Sequence, residues 1–198
     1  SRFGDFLRRE LRKPTVYLDR KGIVQRHLHA VLLSEFIKDN QPSRTGTMES
    51  YGKMGKFCGI EQPSKWDKDQ KPSWEYTERG LADDFIEFMR NLKEKPSFFQ
   101  ELLGTLSVGT ACERIIDPEQ WAAFMSKALD LFRDAVENWR QDIKQLHDAW
   151  NEIPDTPNSL NRSKLHSIRL QVGIRCDLTV IECLANFRFL PRYGFPIN

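Results

Sequence analysis

The sequence lacks an apolar run long enough to cross a bilayer. A membrane-spanning helix needs about 20 consecutive apolar residues, and none of the 198 residues begins such a run. The opening stretch, Ser1 to Asp5, also lacks the apolar core of a signal peptide. We therefore expect a cytoplasmic protein with no membrane partner. The missing initiator methionine favours a segment cut from a longer protein.

Paired cysteines are also absent. The four cysteines (Cys58, Cys112, Cys176 and Cys183) are widely spaced, and no CxxC pair occurs. Structural zinc sites are usually built from such closely spaced pairs, so we predict no metal ligands in this chain. A disulfide framework is typical of smaller secreted domains. We expect reduced, partly buried thiols.

The motifs of common active sites are missing as well. The chain has no GxxxxGKS/T phosphate loop, no GxGxxG, no GxSxG and no HExxH. Gly52, Gly55 and Gly59 do not open a helix after a strand, and we interpret them as flexible loop glycines. The sequence therefore predicts no catalytic residue and no cofactor of the segment's own.

Two groups of titratable residues favour simple explanations over chemistry. His27 and His29 lie two residues apart on a predicted helix and point to different faces, so one metal ion would not easily bind both. Asp83, Asp84 and Glu87 lie near the start of another predicted helix. There they complement the helix dipole better than they form a general acid and base.

What the sequence does contain is a divided charge. Residues 1–29 have a net charge of +5 and residues 160–198 a net charge of +4, whereas residues 30–159 carry −7. The basic ends could neutralise phosphates, or they could pair with the acidic centre or with neighbouring domains. Charge alone leaves these alternatives open.

Apolar residues recur at helical spacing along most of the chain, which predicts a mostly α, irregular helical domain with short extended segments near both ends. Extended segments are expected at 15–18 and near the C-terminus. We divide the chain into a basic lead-in with an Arg-His helix (1–39), an irregular excursion (40–76), a helical domain (77–153) and basic helices that end in an aromatic and proline turn (154–198).

One predicted helix is long and rich in tryptophan. Asp117 suits its N-cap and Pro118 its first position, and the apolar stripe continues for about 33 residues. Trp121, Trp139 and Trp150 lie on this stripe. They could pack a core or stack on the bases of single-stranded nucleic acid, and their helical spacing strongly favours the core.

The last predicted helix is short and leads into a turn. It extends from Asp177 to Asn186, with Leu178, Ile181 and Leu184 expected to be buried. The following stretch, 187–196, contains two prolines, one glycine and four aromatic residues, which cannot continue a helix.

Two stretches, one near each end, resemble a known family. The first is RKPTVYLD at 12–19 followed by IVQRHLHA at 23–30, and the second is LAN at 184–186 followed by FLPRYGFP at 189–196. Both are similar to the region just after the second motor lobe of superfamily-two DNA helicases with a C-terminal cysteine-rich, metal-binding domain. That branch includes repair helicases and the large helicase of DISARM-type phage defence.

The resemblance implies a parent protein that hydrolyses ATP with Mg²⁺ and translocates on DNA. Its motor lobes, ATP site and cysteine ligands would lie outside these residues. This segment would then be an auxiliary helical domain that bridges the motor and the metal-binding part. The 153 intervening residues match nothing in the family pattern.

The matched residues also include candidates for contact with DNA. Arg26 and His27, near the start of a helix, could meet a phosphate or could tie the helix to a motor lobe. Arg188, Arg192 and Tyr193 interleave charge and aromatic rings. This pattern suits a nucleic-acid strand, and it suits a seam between domains slightly better.

These observations leave two classes of function. The first is the auxiliary helicase domain, with DNA and other helicase domains or subunits as partners. The alternative is a helical protein-protein interaction module that does not bind nucleic acid. Salt-sensitive DNA affinity would separate the two.

Overall fold

The computed structural model describes residues 20–39, 52–61, 75–76, 79–94, 98–154 and 158–192. The extended segment predicted at 15–18 lies outside these residues, as does the end of the chain from 193 onwards.

The described residues are mostly helical, which confirms the predicted fold class. A two-residue antiparallel ribbon, in which Ile60 pairs with Tyr76, accompanies the helices. In chain order the elements are α1 (Lys21–Asp39), α2 (Met54–Phe57), β1 (Ile60–Glu61), β2 (Glu75–Tyr76), α3 (Leu81–Glu94), α4 (Phe98–Ser107), α5 (Pro118–Glu152), α6 (Ser159–Asp177) and α7 (Val180–Asn186).

The long helix α5 forms as its sequence predicts, with 35 residues and Pro118 in its first turn. Asp117 occupies the N-cap position, but its side chain makes no capping hydrogen bond. The carboxylate pairs instead with Arg114 at 2.7 Å. The predicted N-cap residue is therefore correct, but its side chain does not make the capping hydrogen bond.

The tryptophans of α5 anchor the core, as their spacing predicts. Trp121, Trp139 and Trp150 are all buried. Trp121 Nε1 donates to the Leu92 carbonyl at 3.2 Å, and Trp139 Nε1 donates to the Arg175 carbonyl at 3.1 Å. These bonds satisfy the indole N–H groups that burial removes from water. The rings are therefore not available to stack on bases.

The described part of the predicted irregular excursion packs against the C-terminal helices. Lys53 forms an isolated bridge with Thr179, and the Met54 N–H donates to the Leu178 carbonyl at 2.9 Å. Gly55 lies in α2, where a Cβ would come within 2.9 Å of the Cys176 Cβ. Gly59 adopts a φ of 76° in the following turn. Both glycines are required by packing or backbone geometry, so their interpretation as flexible loop residues is wrong.

Helices α6 and α7 each begin at a side-chain cap. The Asn158 side chain accepts from the Asn161 N–H at 2.7 Å, and Thr179 Oγ1 accepts from the Glu182 N–H at 3.1 Å. Leu184 is buried as predicted, but Ile181 is 62% exposed. The prediction for Ile181 is wrong: Leu184 and Ala185, one turn further along α7, are buried, but no described neighbour covers Ile181.

Helix α5 is the centre of the packing. Its most extensive contacts are with α3 and α6. One hydrophobic cluster extends from Val24 in α1 to Leu190 after α7. Among the described residues, no helix combines the length and the apolar character that a bilayer crossing requires.

Candidate functional site

The two stretches that carry the family resemblance meet in the structure. His29 of α1 is 1% exposed, and its Nδ1 lies 3.0 Å from the carbonyl oxygen of Phe189. The imidazole also stacks on the Phe189 ring, with centroids 4.7 Å apart, and lies 5.2 Å from the Phe124 ring. We call this contact the motif junction. It joins residues that are 160 positions apart in the sequence.

The junction fixes the chemical state of His29. A carbonyl oxygen only accepts hydrogen bonds, so Nδ1 carries the proton and donates it to Phe189. Burial lowers the pKa of His29 to about 4; the Phe189 carbonyl opposes this shift, while Lys127 and Arg26 reinforce it. The buried Nε2 has no hydrogen-bond partner among the described residues. His29 is therefore a neutral core residue at physiological pH.

The end of α7 presents Phe189 to the junction through a tight cap. The Phe189 N–H donates to the Leu184 carbonyl at 2.9 Å, and the Arg188 N–H donates to the Ala185 carbonyl at 3.1 Å. This is the Schellman pattern, which places the residue after the cap in the left-handed region. That residue is Arg188, with a φ of 62°. Glycine would normally occupy this position, so an arginine here is strained.

The structure separates the predicted DNA-contacting residues. Arg188 and Arg192 are exposed beside the junction, and Arg192 Nη2 donates to Asn186 Oδ1 at 3.1 Å. Arg26 and His27 are half-buried in the second turn of α1, and Arg26 Nε donates to the Gly22 carbonyl at 3.0 Å. Tyr193 lies outside the described residues.

A groove adjoins the junction and shares Phe124 with it. It has a volume of about 390 Å³ and lies between the first turn of α1, the turn before α5 and the first turns of α5. The described residues that line it include three cations and no carboxylate. We call it the cationic groove; the residues that line it and enter the argument are Lys21, Gln25, Arg114, Gln120, Phe124 and Lys127.

Amide side chains hold the lysines of the cationic groove. Lys127 Nζ donates to Gln25 Oε1 at 3.1 Å, and Lys21 Nζ lies 3.4 Å from Gln120 Oε1. Arg114 differs because it pairs with Asp117, a carboxylate that does not line the groove. The two lysines therefore keep their full charge.

A second groove, further along α5, is lined by four arginines and three carboxylates. Its volume is about 530 Å³. Arg140 donates to both oxygens of Asp83, at 3.0 and 2.6 Å, and Arg79 pairs with Glu87. We call this the paired groove, lined by Arg79, Asp83, Ile86, Glu87, Arg90, Arg133, Val136, Glu137 and Arg140.

The acidic residues of α3 have structural partners, in keeping with the sequence interpretation. Asp83 Oδ2 accepts from the Gly80 N–H at 2.9 Å at the start of the helix. Burial alone would raise the pKa of Asp83, but hydrogen bonds from Arg140 and Gly80 outweigh it, and the pKa is lowered. A carboxylate that stays ionised and accepts hydrogen bonds from Arg140 and Gly80 has no proton to give, so Asp83 is a poor general acid.

The four cysteine thiols are free and buried. Burial raises the pKa of Cys58 to about 12 and that of Cys183 to about 11. Thiols that stay protonated are weak nucleophiles and weak metal ligands.

Sequence reasoning missed the main residues of this site. It selected Arg26 and His27, whereas His29 makes the junction. It also did not identify Lys21, Gln25 or Lys127 as lining one groove. The available signal was the repeated apolar spacing around His29, which marks a buried face of α1.

No family model, curated protein or solved structure matches this chain.

Proposed function

We propose that this chain is an auxiliary helical domain of an ATP-dependent DNA helicase or translocase. It would bridge the motor and the metal-binding part and contact the DNA backbone. The parent protein would be cytoplasmic, and it would use ATP and Mg²⁺ at sites formed by other residues. The pathway class would be DNA repair or phage defence.

The motif junction is the observation that supports this proposal. The two stretches that resemble the helicase family are separated by 153 residues, yet they meet through His29 and Phe189. If they belong to one family pattern, they should form one structural unit, with the intervening helices as an insertion. The contact between one residue of each stretch supports that interpretation.

The exposed residues beside the junction fit the proposed contact with DNA. Residues 160–198 carry a net charge of +4, and Arg188 and Arg192 extend from the surface there. Guanidinium groups bind phosphate oxygens through paired N–H donors. The strained backbone of Arg188 is consistent with selection for a functional side chain at that position.

The test is binding of fluorescent single- and double-stranded DNA across a salt series, with Arg188→Gly/Arg192→Gln beside the parent chain. Glycine relieves the left-handed backbone at 188, and a thermal melt of the double variant checks that lost binding does not come from unfolding. We expect the slope of log affinity against log salt to become shallower by about one for each lost phosphate contact.

A matched control is Lys93→Gln/Lys144→Gln, which removes the same charge from two exposed lysines on α3 and α5. It should keep the parent slope. No binding to either DNA at about 50 mM salt, where phosphate contacts are strong, would overturn the proposal.

A second candidate function is a helical interaction module without nucleic-acid binding. It is favoured by the outer side of α6 and α7, where four large apolar side chains are more than half exposed: Leu160, Leu170, Ile174 and Ile181. Leu170 and Ile174 are one helical turn apart and share a face. Absence of DNA binding in the salt series would make this function the better explanation.

A further inference from the structure

The cationic groove offers hydrogen-bond donors without a matching acceptor. Gln25 is 7% exposed, and its Oε1 is occupied by Lys127 at 3.1 Å. This bond fixes the amide so that Nε2 carries the free donors. No described residue accepts a hydrogen bond from Gln25 Nε2, and this atom is not among the fully buried polar atoms without a partner, so it opens onto the groove that Gln25 lines. Its N–H groups can donate to a ligand with acceptor oxygens that enters the groove.

The charged side chains of the groove are cations, and they favour the same kind of ligand as the N–H donors do. Lys21 and Lys127 contact only amide oxygens in the described residues, and no carboxylate lines the groove. The first turn of α1 contains no acidic residue, and a Cβ added to Gly22 would meet no atom within 4 Å. Within the described residues, no acidic side chain of the first turn neutralises the positive end of the α1 dipole.

We propose that the cationic groove binds a phosphate group, with charge from Lys21 and Lys127 and N–H donors from Gln25 and the first turn of α1. The volume of about 390 Å³ falls within the range of about 300–1,000 Å³ that is typical of small-ligand sites. A phosphate has several acceptor oxygens and no donor when ionised, which suits a lining whose charged side chains, among the described residues, are all cations.

The phosphate could belong to a nucleic-acid backbone or to a free nucleotide or polyphosphate. The inference deepens the proposed function, and it rests on that function only for the first of these sources. Phe124, shared by the groove and the motif junction, would place a bound backbone phosphate next to the stretches that resemble the helicase family.

The experiment measures pyrophosphate by calorimetry and single-stranded DNA by fluorescence anisotropy, using the parent chain, Lys21→Gln/Lys127→Gln and Gln25→Glu. Gln25→Glu keeps the shape of the side chain and gives Lys127 a carboxylate partner, so the fold is retained while the groove loses charge. The Lys93→Gln/Lys144→Gln variant is the control for charge, and thermal melts check folding.

We expect both groove variants to weaken pyrophosphate and DNA binding by about tenfold or more, and the control to match the parent. Pyrophosphate binding without DNA binding would support the groove as a free-phosphate site and overturn the proposed function. DNA binding that is unchanged in both groove variants, with no pyrophosphate binding, would overturn this inference and leave the proposed function standing. No binding of either probe would overturn both.

Discussion

Two grooves meet α5 at different points along its length, and both are lined by cations. In the paired groove, α3 contributes Asp83 and Glu87, which neutralise Arg140 and Arg79. In the cationic groove, the facing elements contribute amides and alanines but no carboxylate. The two grooves therefore differ less in their cations than in the carboxylates that face them. We expect those carboxylates, more than the number of cations, to decide whether a groove can bind an anion.

The same difference separates charges that stabilise the fold from charges that are available to bind a ligand. Arg140 and Asp83 are about one-third exposed and share two hydrogen bonds, so removing either partner leaves a partly desolvated charge. Lys21 and Lys127 only contact neutral amides. Their substitution should therefore affect ligand binding more than folding. This distinction can be tested by substitution, and His29 beside the cationic groove and Asp83 in the paired groove add responses to pH.

The largest expected effect is acid destabilisation through His29, next to the cationic groove. The folded pKa of about 4 lies below the ordinary histidine value of 6.5, so the unfolded chain binds the proton more readily. The free energy of unfolding should therefore fall as pH drops below 6.5 and level off below 4. The expected loss is about 3 kcal/mol. Urea unfolding between pH 7.5 and pH 4 measures it.

His29→Gln is the matched control for this prediction. The amide retains a donor for the Phe189 carbonyl but does not titrate in this range. We expect lower stability at pH 7, because ring stacking is lost, and a much flatter pH dependence. An equally steep dependence in the variant would show that other groups cause the acid response.

The second expected effect belongs to the paired groove. Asp83→Asn should reduce the free energy of unfolding by about 1–2 kcal/mol, because Arg140 loses its ionised partner in a partly buried site. Since the folded pKa of Asp83 is lowered, its contribution is present above the unfolded pKa of 3.8 and disappears as pH falls further.

Asp84→Asn is the control, because Asp84 pairs with Arg79 on the exposed surface, where ion pairs contribute little. Chemical unfolding at pH 7 compares the variants. Equal losses for both would mean that burial does not distinguish the Arg140 pair from the surface pair.

Much of the fold could be predicted from local sequence. The spacing of Trp121, Trp139 and Trp150 and the proline at 118 identified α5 because helical periodicity and end signals are local properties. The contact between His29 and Phe189 could not be derived in this way. It depends on how the intervening helices return the chain, and no local pattern encodes that path.

The candidate site was harder to predict for a related reason. Lys127 lies on the polar side of α5, where a charged residue is ordinary, and only the fold brings it to Gln25, 102 positions away. Ile181 was misassigned because its spacing identifies a stripe but not the neighbour that covers it. Local pattern thus predicts elements better than it predicts which of their faces become a groove.

A third prediction tests whether the paired groove can be converted into a cationic one. Glu87→Gln/Glu137→Gln removes two of its three carboxylates and keeps the Arg140–Asp83 pair. We expect DNA affinity at low salt to rise severalfold, with a steeper salt dependence. Fluorescence anisotropy measures the change, and Glu94→Gln/Glu152→Gln, both exposed and outside both grooves, is the control. Equal gains in both pairs would indicate an effect of net charge alone.

The smallest expected effect comes from the reverse change, which gives the cationic groove a carboxylate. Gln120→Glu would give Lys21 a carboxylate at the position where its ammonium now lies 3.4 Å from an amide oxygen. An exposed ion pair should raise the free energy of unfolding by about 0.2–1 kcal/mol, and less in high salt. Pyrophosphate affinity should fall at the same time, because the new carboxylate repels the ligand.

Gln145→Glu, exposed further along α5, adds the same charge away from both grooves and should change neither quantity beyond that general effect. Urea unfolding and calorimetry on the two variants give the comparison. Stability and pyrophosphate affinity that move in opposite directions only for Gln120→Glu would mean that the cationic groove forgoes a stabilising ion pair to keep its lysines available. If stability and pyrophosphate affinity change in the same direction, the missing carboxylate has no consequence for binding. The two grooves then differ in structure and not in what they bind.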